Sequence, residues 1–423
     1  MGALLKTSGQ FRIFLVYQIF STLGNGIFSI FMLLSVHLLY RNALYTGIAG
    51  FLMSAPRIFS FMVGPVVDRS KKVTIMRLTT LLEFGVLALL AFTPLLESIG
   101  VLFMFATITV FSFAAMFESP AGRALLPHIV KEEEILTANS LINIAATTAG
   151  ILLAILIFVI LGQGDNFQLI LGLSTGFLAG AFLFSLFLRD PKHKAEPGGK
   201  ATHSYLADLM AGMKFLRGNV LLFFLIASVT LVFIGQIAYV NRPAFIEYHA
   251  GAQGYILFVF ITMLGGLIAS FIVQPLGKKC RVGPLLLMFS VLAGGLRILF
   301  VLVIPESFFA ALGITVIIAT ILNAAGIVEG TLEQKIPPKD MVGRVDTMST
   351  TFFAISVALG ALTGGFIGRV VPDIAYIFIT QGVIVLLSGV YYILVPAIRK
   401  LPKFSDIARE GEDSDEATAS QSQ

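Results

Sequence analysis

The chain is short of the residues on which most soluble and catalytic chemistry depends. It has a single cysteine, Cys280, in 423 residues, which excludes an internal disulfide and any cysteine-built metal cluster. Five histidines are too scattered to form a ligand set, so no metal or other cofactor is expected. Charged side chains are only 13% of the total, about half the share in soluble domains. No GxxxxGK phosphate loop occurs, so the chain does not itself draw on ATP. His37, His128 and His249 belong to no clustered nucleophile set, which argues against a polytopic membrane enzyme.

What is abundant is apolar. The hydrophobic share is 57% and mean hydropathy is +0.92, too much for one core beneath a wetted surface. This material recurs along almost the whole chain in runs near 20 residues, the helical length that crosses roughly 30 Å of hydrocarbon. A single anchor is therefore excluded, and a small amphipathic partner in a lipid bilayer is a better expectation than a nucleic acid.

Breaks at charge, Pro and Gly clusters mark spans near 12–40, 44–67, 73–96, 99–124, 138–161, 167–188, 219–246, 253–276, 283–304, 307–329, 345–371 and 373–396. The expected fold is an all-α membrane protein with twelve transmembrane helices in two pseudo-symmetric six-helix bundles. The bundles cover 1–190 and 219–398, joined by a cytoplasmic linker at 191–218 and followed by an acidic, disordered tail at 399–423. An even number of spans puts both termini on one side. All but five of the 29 Lys and Arg residues fall on that side, the exceptions being Arg41, Arg57, Arg242, Arg297 and Arg369. The positive-inside rule then makes both termini cytoplasmic, in a plasma (inner) membrane.

Within the linker, Leu206, Leu209, Met210, Met213 and Leu216 share one face, as an interfacial helix requires. An offset of 210 residues superimposes Pro65 on Pro275, Gly85 on Gly295, Pro127 on Pro337 and Gly150 on Gly360, the signature of an internal repeat. Small-residue faces, Asn139, Asn143, Thr147 and Gly150 on the fifth span and Gly266 and Ser270 on the eighth, read either as a sliding seam or as simple close packing.

The strongest local motif is Gly64-Pro65-Val66-Val67-Asp68-Arg69-Ser70-Lys71-Lys72, followed by Arg77. A tight helix exit is followed by an acid suited to a helix N-terminus and by bases suited to the inner lipid surface. Such a cluster is either an inner latch or a set of topology-fixing charges. It resembles the GxxxDRxGRK loop of the major facilitator superfamily, with Ser70 in place of the second Gly. A second stretch, Glu118-Ser119-Pro120-Ala121 through Leu126-Pro127 to Ala138-Asn139-Ser140, resembles the branch with macrolide-efflux and enterobactin-export proteins. This resemblance implies drug:proton antiport by alternating access, exporting a drug- or siderophore-like molecule as a monomer. Uptake or facilitated diffusion remains the alternative. Two differences stand out: Asn25 follows Gly24 where relatives often carry an acid, and the nearest version of GPxxGG lies at 360–365.

The resemblance further implies that the first, fourth, seventh and tenth spans line the cargo cavity. Gln18, Thr22, Asn25 and Ser29 recur at 4, 3 and 4 residues, one polar helical stripe. Ser112, Phe113 and Met116 come from the fourth span, Gln236, Tyr239 and Arg242 from the seventh, and Asn323 from the tenth. Intramembrane charge is costly, which singles out Arg57, Glu83 and Arg297. Arg57 and Glu83 each lie 11 residues from the inner loop, about 16 Å up adjacent helices. They form either a permanent brace or a coupling pair that opens. Glu118 is assigned to the inner latch, opposite Arg69 or Arg77.

Overall fold

The computed structural model describes residues 8–63, 66–67, 70–92, 100–131, 134–163, 167–190, 205–338 and 341–403. All regular structure among them is helical: α1 Gly9–Tyr40, α2 Ala43–Ser54, α3 Lys72–Phe92, α4 Val101–Ile129, α5 Ile135–Leu161, α6 Phe167–Phe187, α7 Tyr205–Arg217, α8 Leu221–Lys279, α9 Val282–Val303, α10 Phe308–Lys335, α11 Val342–Val370, α12 Ala375–Leu394 and the short α13 Pro396–Arg399. Ten of these helices are long and apolar enough to cross a membrane. Leu102, Phe271 and Leu394 are 78%, 73% and 73% exposed, whereas Glu83 is wholly buried. Oil outward and acid inward is the arrangement lipid selects, so the chain is an all-α, multi-pass membrane protein.

Local chemistry sets the helix ends. Ser8 caps α1 by accepting from the Phe11 amide at 3.2 Å and donates to the Ile129 carbonyl at 2.8 Å, fastening the start of α1 to the end of α4. Arg41, with φ of 47°, turns the chain into α2, which Asn42 caps through the Leu44 amide at 2.9 Å. The expected second span, 44–67, is not one continuous α-helix. α2 ends at Ser54 and continues as a 3-10 helix over Ala55–Met62, with Pro56 at its second position. Rises of 1.5 and 2.0 Å per residue still carry this combined rod about 34 Å. Conversely, α4 runs on through Pro120 and Pro127 to Ile129, past the expected end at 124.

α8 is 59 residues long, well over twice the roughly 20 that a span needs, and contains one break: Gly251 at φ 68°, ψ −179°, a backbone position that a side chain rarely adopts.

The chain forms two compact units, residues 1–200 with 251–257, and residues 201–250 with 258–423. In the first unit α1 packs on α5 and α6, and α3 on α4 and α6, over a core that includes Phe11, Phe14, Tyr17, Met76 and Leu125. In the second, α9 packs on α10 and α12, and α7 on α11. The α9–α12 approach is close. A Cβ at Gly294 would stand 2.6 Å from the Leu386 amide nitrogen and 2.7 Å from the Gly382 carbonyl oxygen.

Candidate functional site

Polar side chains inside an apolar helix bundle must pair with one another or with backbone carbonyls. In the first unit they converge on Glu118 of α4. Tyr17 donates its hydroxyl to Glu118 Oε1 at 2.7 Å, and Ser21, one turn further along α1, donates to the same oxygen. Tyr17 also exchanges a hydrogen bond with Thr80 of α3 at 2.9 Å. The Asn25 amide nitrogen lies 3.1 Å from Glu118 Oε2 and 3.4 Å from Glu83 Oε2. The two carboxylates can be no further apart than the sum of those distances, about 6.5 Å. Glu83 and Tyr17 are 0% exposed, and Ser21 and Glu118 are also buried. The remaining oxygen of Glu83, Oε1, is buried and has no hydrogen-bond partner among the described residues.

This geometry corrects two pairings expected from sequence. Arg57 sits exposed on the 3-10 segment, and Glu83 bonds to Asn25 rather than to it. Height along a helix placed Arg57 and Glu83 at one level, but direction around the helix decides what meets, and Glu83 points inward. Glu118 likewise bonds to α1 hydroxyls and Asn25 rather than to Arg77. Arg77 is engaged elsewhere, donating to the carbonyls of Ser185, Leu186 and Leu188 at 3.0, 3.2 and 2.7 Å. Carbonyls at a helix end have no partner within the helix, and a cation there also suits the α6 dipole. Among the described residues, Asp190 is an acid at the α3 N-terminus, its Oδ1 accepting from the Val73 amide at 2.9 Å. Gly64, Asp68 and Arg69 of the latch motif lie outside the described residues; Lys71 is exposed and Lys72 half-buried.

Of the expected cavity stripe on α1, Gln18, Thr22 and Asn25 are half-buried and Ser29 is exposed; only Asn25 joins the carboxylate cluster. On α4, Ser112 is buried, Met116 half-buried and Phe113 exposed. In the second unit Asn323 is exposed, its amide donating to the Ala319 carbonyl at 2.8 Å. Gln236 is half-buried, with its Cβ under the close approach of Gly360.

Arg242 and Arg297 come together around a cavity of about 90 Å³ within the second unit. The Arg242 guanidinium carbon lies 5.2 Å from the Tyr239 ring centroid and 5.1 Å from that of Phe258, so two aromatic faces flank it. Arg297 donates through Nη1 to Gln381 Oε1 of α12. A third carboxylate, Glu329 of α10, accepts from Ser228 at 2.7 Å and from Tyr392 at 3.2 Å.

Sequence reasoning missed Tyr17, Ser21 and Gln381. Gln381 was findable, as a lone amide within the apolar run of α12. Tyr17 and Ser21 carry no such signal in a chain with 38 Phe and 10 Tyr.

Comparison with known proteins agrees with the helical architecture. The family model described as Major Facilitator Superfamily matches residues 14–346. The nucleoside transporter NupG superimposes with a TM-score of 0.71 at 13% identity, covering 91% of this chain and 98% of that one. A bacterial homologue of the iron transporter ferroportin in an inward-facing state gives 0.68 at 16% identity, covering 91% and 98%. The POT family transporter PepTSo gives 0.70 at 12% identity, covering 91% and 97%. At these identities the likeness concerns the fold alone. Curated proteins offer no match.

Proposed function

The chain belongs to the Major Facilitator Superfamily, and on that premise we propose that it is a twelve-span carrier exporting a hydrophobic or amphipathic small molecule in exchange for protons. It is a multi-pass transporter-like protein rather than an enzyme, and no group of three His, Cys, Asp or Glu suited to a metal occurs among the described residues. Dividing α8 at Gly251, and counting α2 with its 3-10 extension, raises the ten long helices to twelve. The basic loops then place both termini in the cytoplasm.

The Glu83–Asn25–Glu118 cluster is the observation that carries proton exchange. Two carboxylates within about 6.5 Å, both ionised, would repel by on the order of 2–3 kcal/mol at an effective dielectric constant near 20. One shared proton removes that cost. Asn25 faces both acids with its amide nitrogen, a donor that serves either in its charged form. Alternating water access to this pair would load the proton on one side and discharge it on the other. Asn25 thus does not replace an acid in this reading; it links two.

Reconstituted vesicles holding a trapped pH dye test the idea. A panel of amphipathic acids, bases and neutral compounds is added outside, and antiport reads as proton movement opposite to the cargo. That movement should disappear in Glu83→Gln and Glu118→Gln, while cargo-for-cargo exchange persists. Cargo flux indifferent to an imposed pH gradient would sink antiport and leave facilitated diffusion.

A further inference from the structure

The second unit offers a binding chemistry opposite to that of the first. The cavity's polar lining includes Arg242, Arg297 and Gln381, and the residues lining it include no carboxylate. Two nearby hydroxyls are already committed: Thr262 donates to the Phe258 carbonyl at 2.8 Å and Thr315 to the Ala311 carbonyl at 2.9 Å. The donors that face a ligand there are therefore chiefly guanidinium N–H groups. Aromatic rings flank the Arg242 guanidinium at 5.2 and 5.1 Å, setting its positive charge beside the cavity against apolar faces. Arg297 is held by Gln381, and its Nε has no hydrogen-bond partner among the described residues. Phe258 and Phe300 supply apolar wall.

Size narrows the ligand further. A cavity of about 90 Å³ is well under the roughly 300–1,000 Å³ of a site that swallows a whole drug-sized molecule. It suits one planar or tetrahedral oxyanion, the group that a guanidinium fork grips with two parallel hydrogen bonds. We propose that this cavity binds the anionic head, carboxylate or phosphate, of an amphipathic cargo. The inference rests on the transporter reading and deepens it by assigning the cargo a negative end. The apolar wall contributed by Phe258 and Phe300 accommodates the carbon atoms next to that head.

Thermal unfolding of the purified full chain in neutral detergent tests the site without any flux. Three probes share one apolar body: 2-naphthylacetate, its neutral amide, and 2-naphthylethylamine. The carboxylate should raise Tm at concentrations where the amide and amine do not. Its apparent affinity should fall at least about tenfold in Arg297→Gln and in Arg242→Gln, the loss expected for one charge-assisted contact, and less in Arg297→Lys. Inorganic phosphate should act only at higher concentration, lacking the apolar body. Equal stabilisation by all three naphthyl probes would overturn the proposal, and because that arm uses the unaltered chain it decides even if an arginine variant fails to fold. A carboxylate effect surviving in both glutamine variants would overturn it too. So would phosphate matching 2-naphthylacetate, or phosphatidylglycerol in the micelle erasing the carboxylate effect at every concentration, which would assign the cavity to a free anion or a lipid headgroup. A carboxylate-specific Tm shift in vesicles that move no protons would leave this site standing while antiport falls; proton-coupled flux of the amine with no carboxylate shift would do the reverse.

Discussion

The two units handle a buried acid in related ways and then diverge beside it. The interval from Glu118 to Glu329 is 211 residues, and the same interval carries Tyr17 to Ser228, so each unit holds a carboxylate through a hydroxyl at the repeated position. Applied to Glu83, the interval lands on Gly294. There α9 and α12 approach so closely that any Cβ would strike backbone, and no second acid has room. One turn on stands Arg297. The first unit therefore brings acids on two neighbouring helices together, while in the second Glu329 and Glu333 lie one turn apart on α10 and the arginine-lined cavity stands elsewhere. Helix spacing, set by one residue's bulk, decides which sign of charge a repeat can bury.

The sharpest way to break this comparison is to neutralise the matched acids in turn. Glu118→Gln should lower gradient-driven flux on the order of tenfold or more, as loss of a 1–3 kcal/mol coupling implies, whereas Glu329→Gln should leave the gradient dependence in place. Equal loss in both would mean that the units share the proton. Next is packing: Gly294→Val should destabilise the second unit by about 1–3 kcal/mol or more, seen as lost Tm and folded yield, because neither neighbouring backbone can yield. Smaller is Tyr17→Phe, which strips a buried donor from Glu118 and the acceptor from the Thr80 hydroxyl. It should cost about 1–3 kcal/mol by thermal unfolding, against about 0.5–1.5 kcal/mol for Ser228→Ala, whose acid keeps Tyr392. Smallest is Gly295→Ala, where a Cβ meets nothing within 4 Å; helix propensity predicts a gain of about 0.5–1 kcal/mol.

Hydropathy and punctuation made most of the helices legible, because a run near 20 apolar residues has few alternatives in lipid. Pro56 and Pro127 show where that stops. Pro56 falls in a 3-10 segment and Pro127 inside a continuous α-helix, two outcomes for one residue type that no local pattern separates. An offset of 211 residues relates Tyr17 and Glu118 to Ser228 and Glu329, one residue longer than the offset that superimposes the proline and glycine landmarks. At the sites, Asn25, Glu83, Arg242 and Arg297 stood out because polar groups are rare in oily spans. Their partners did not. The expected Arg57–Glu83 pair used height along the axis, which residue counting supplies, without azimuth, which requires knowing each helix's neighbours. The assignment of Glu118 to the latch assumed that an acid seeks a base; three uncharged donors on α1 meet it, and Arg69, one of its two expected partners, lies outside the described residues.

The tight winding over Ala55–Met62 has a mechanical side. At 3.0 rather than 3.6 residues per turn, each of its eight residues advances about 0.5 Å further and rotates about 20° more than in an α-helix. A relaxation of that segment to ordinary winding would draw its end back by about 4 Å and swing it through roughly 160°. The winding of these eight residues thereby sets both how far the rod reaches and the compass bearing at which it ends.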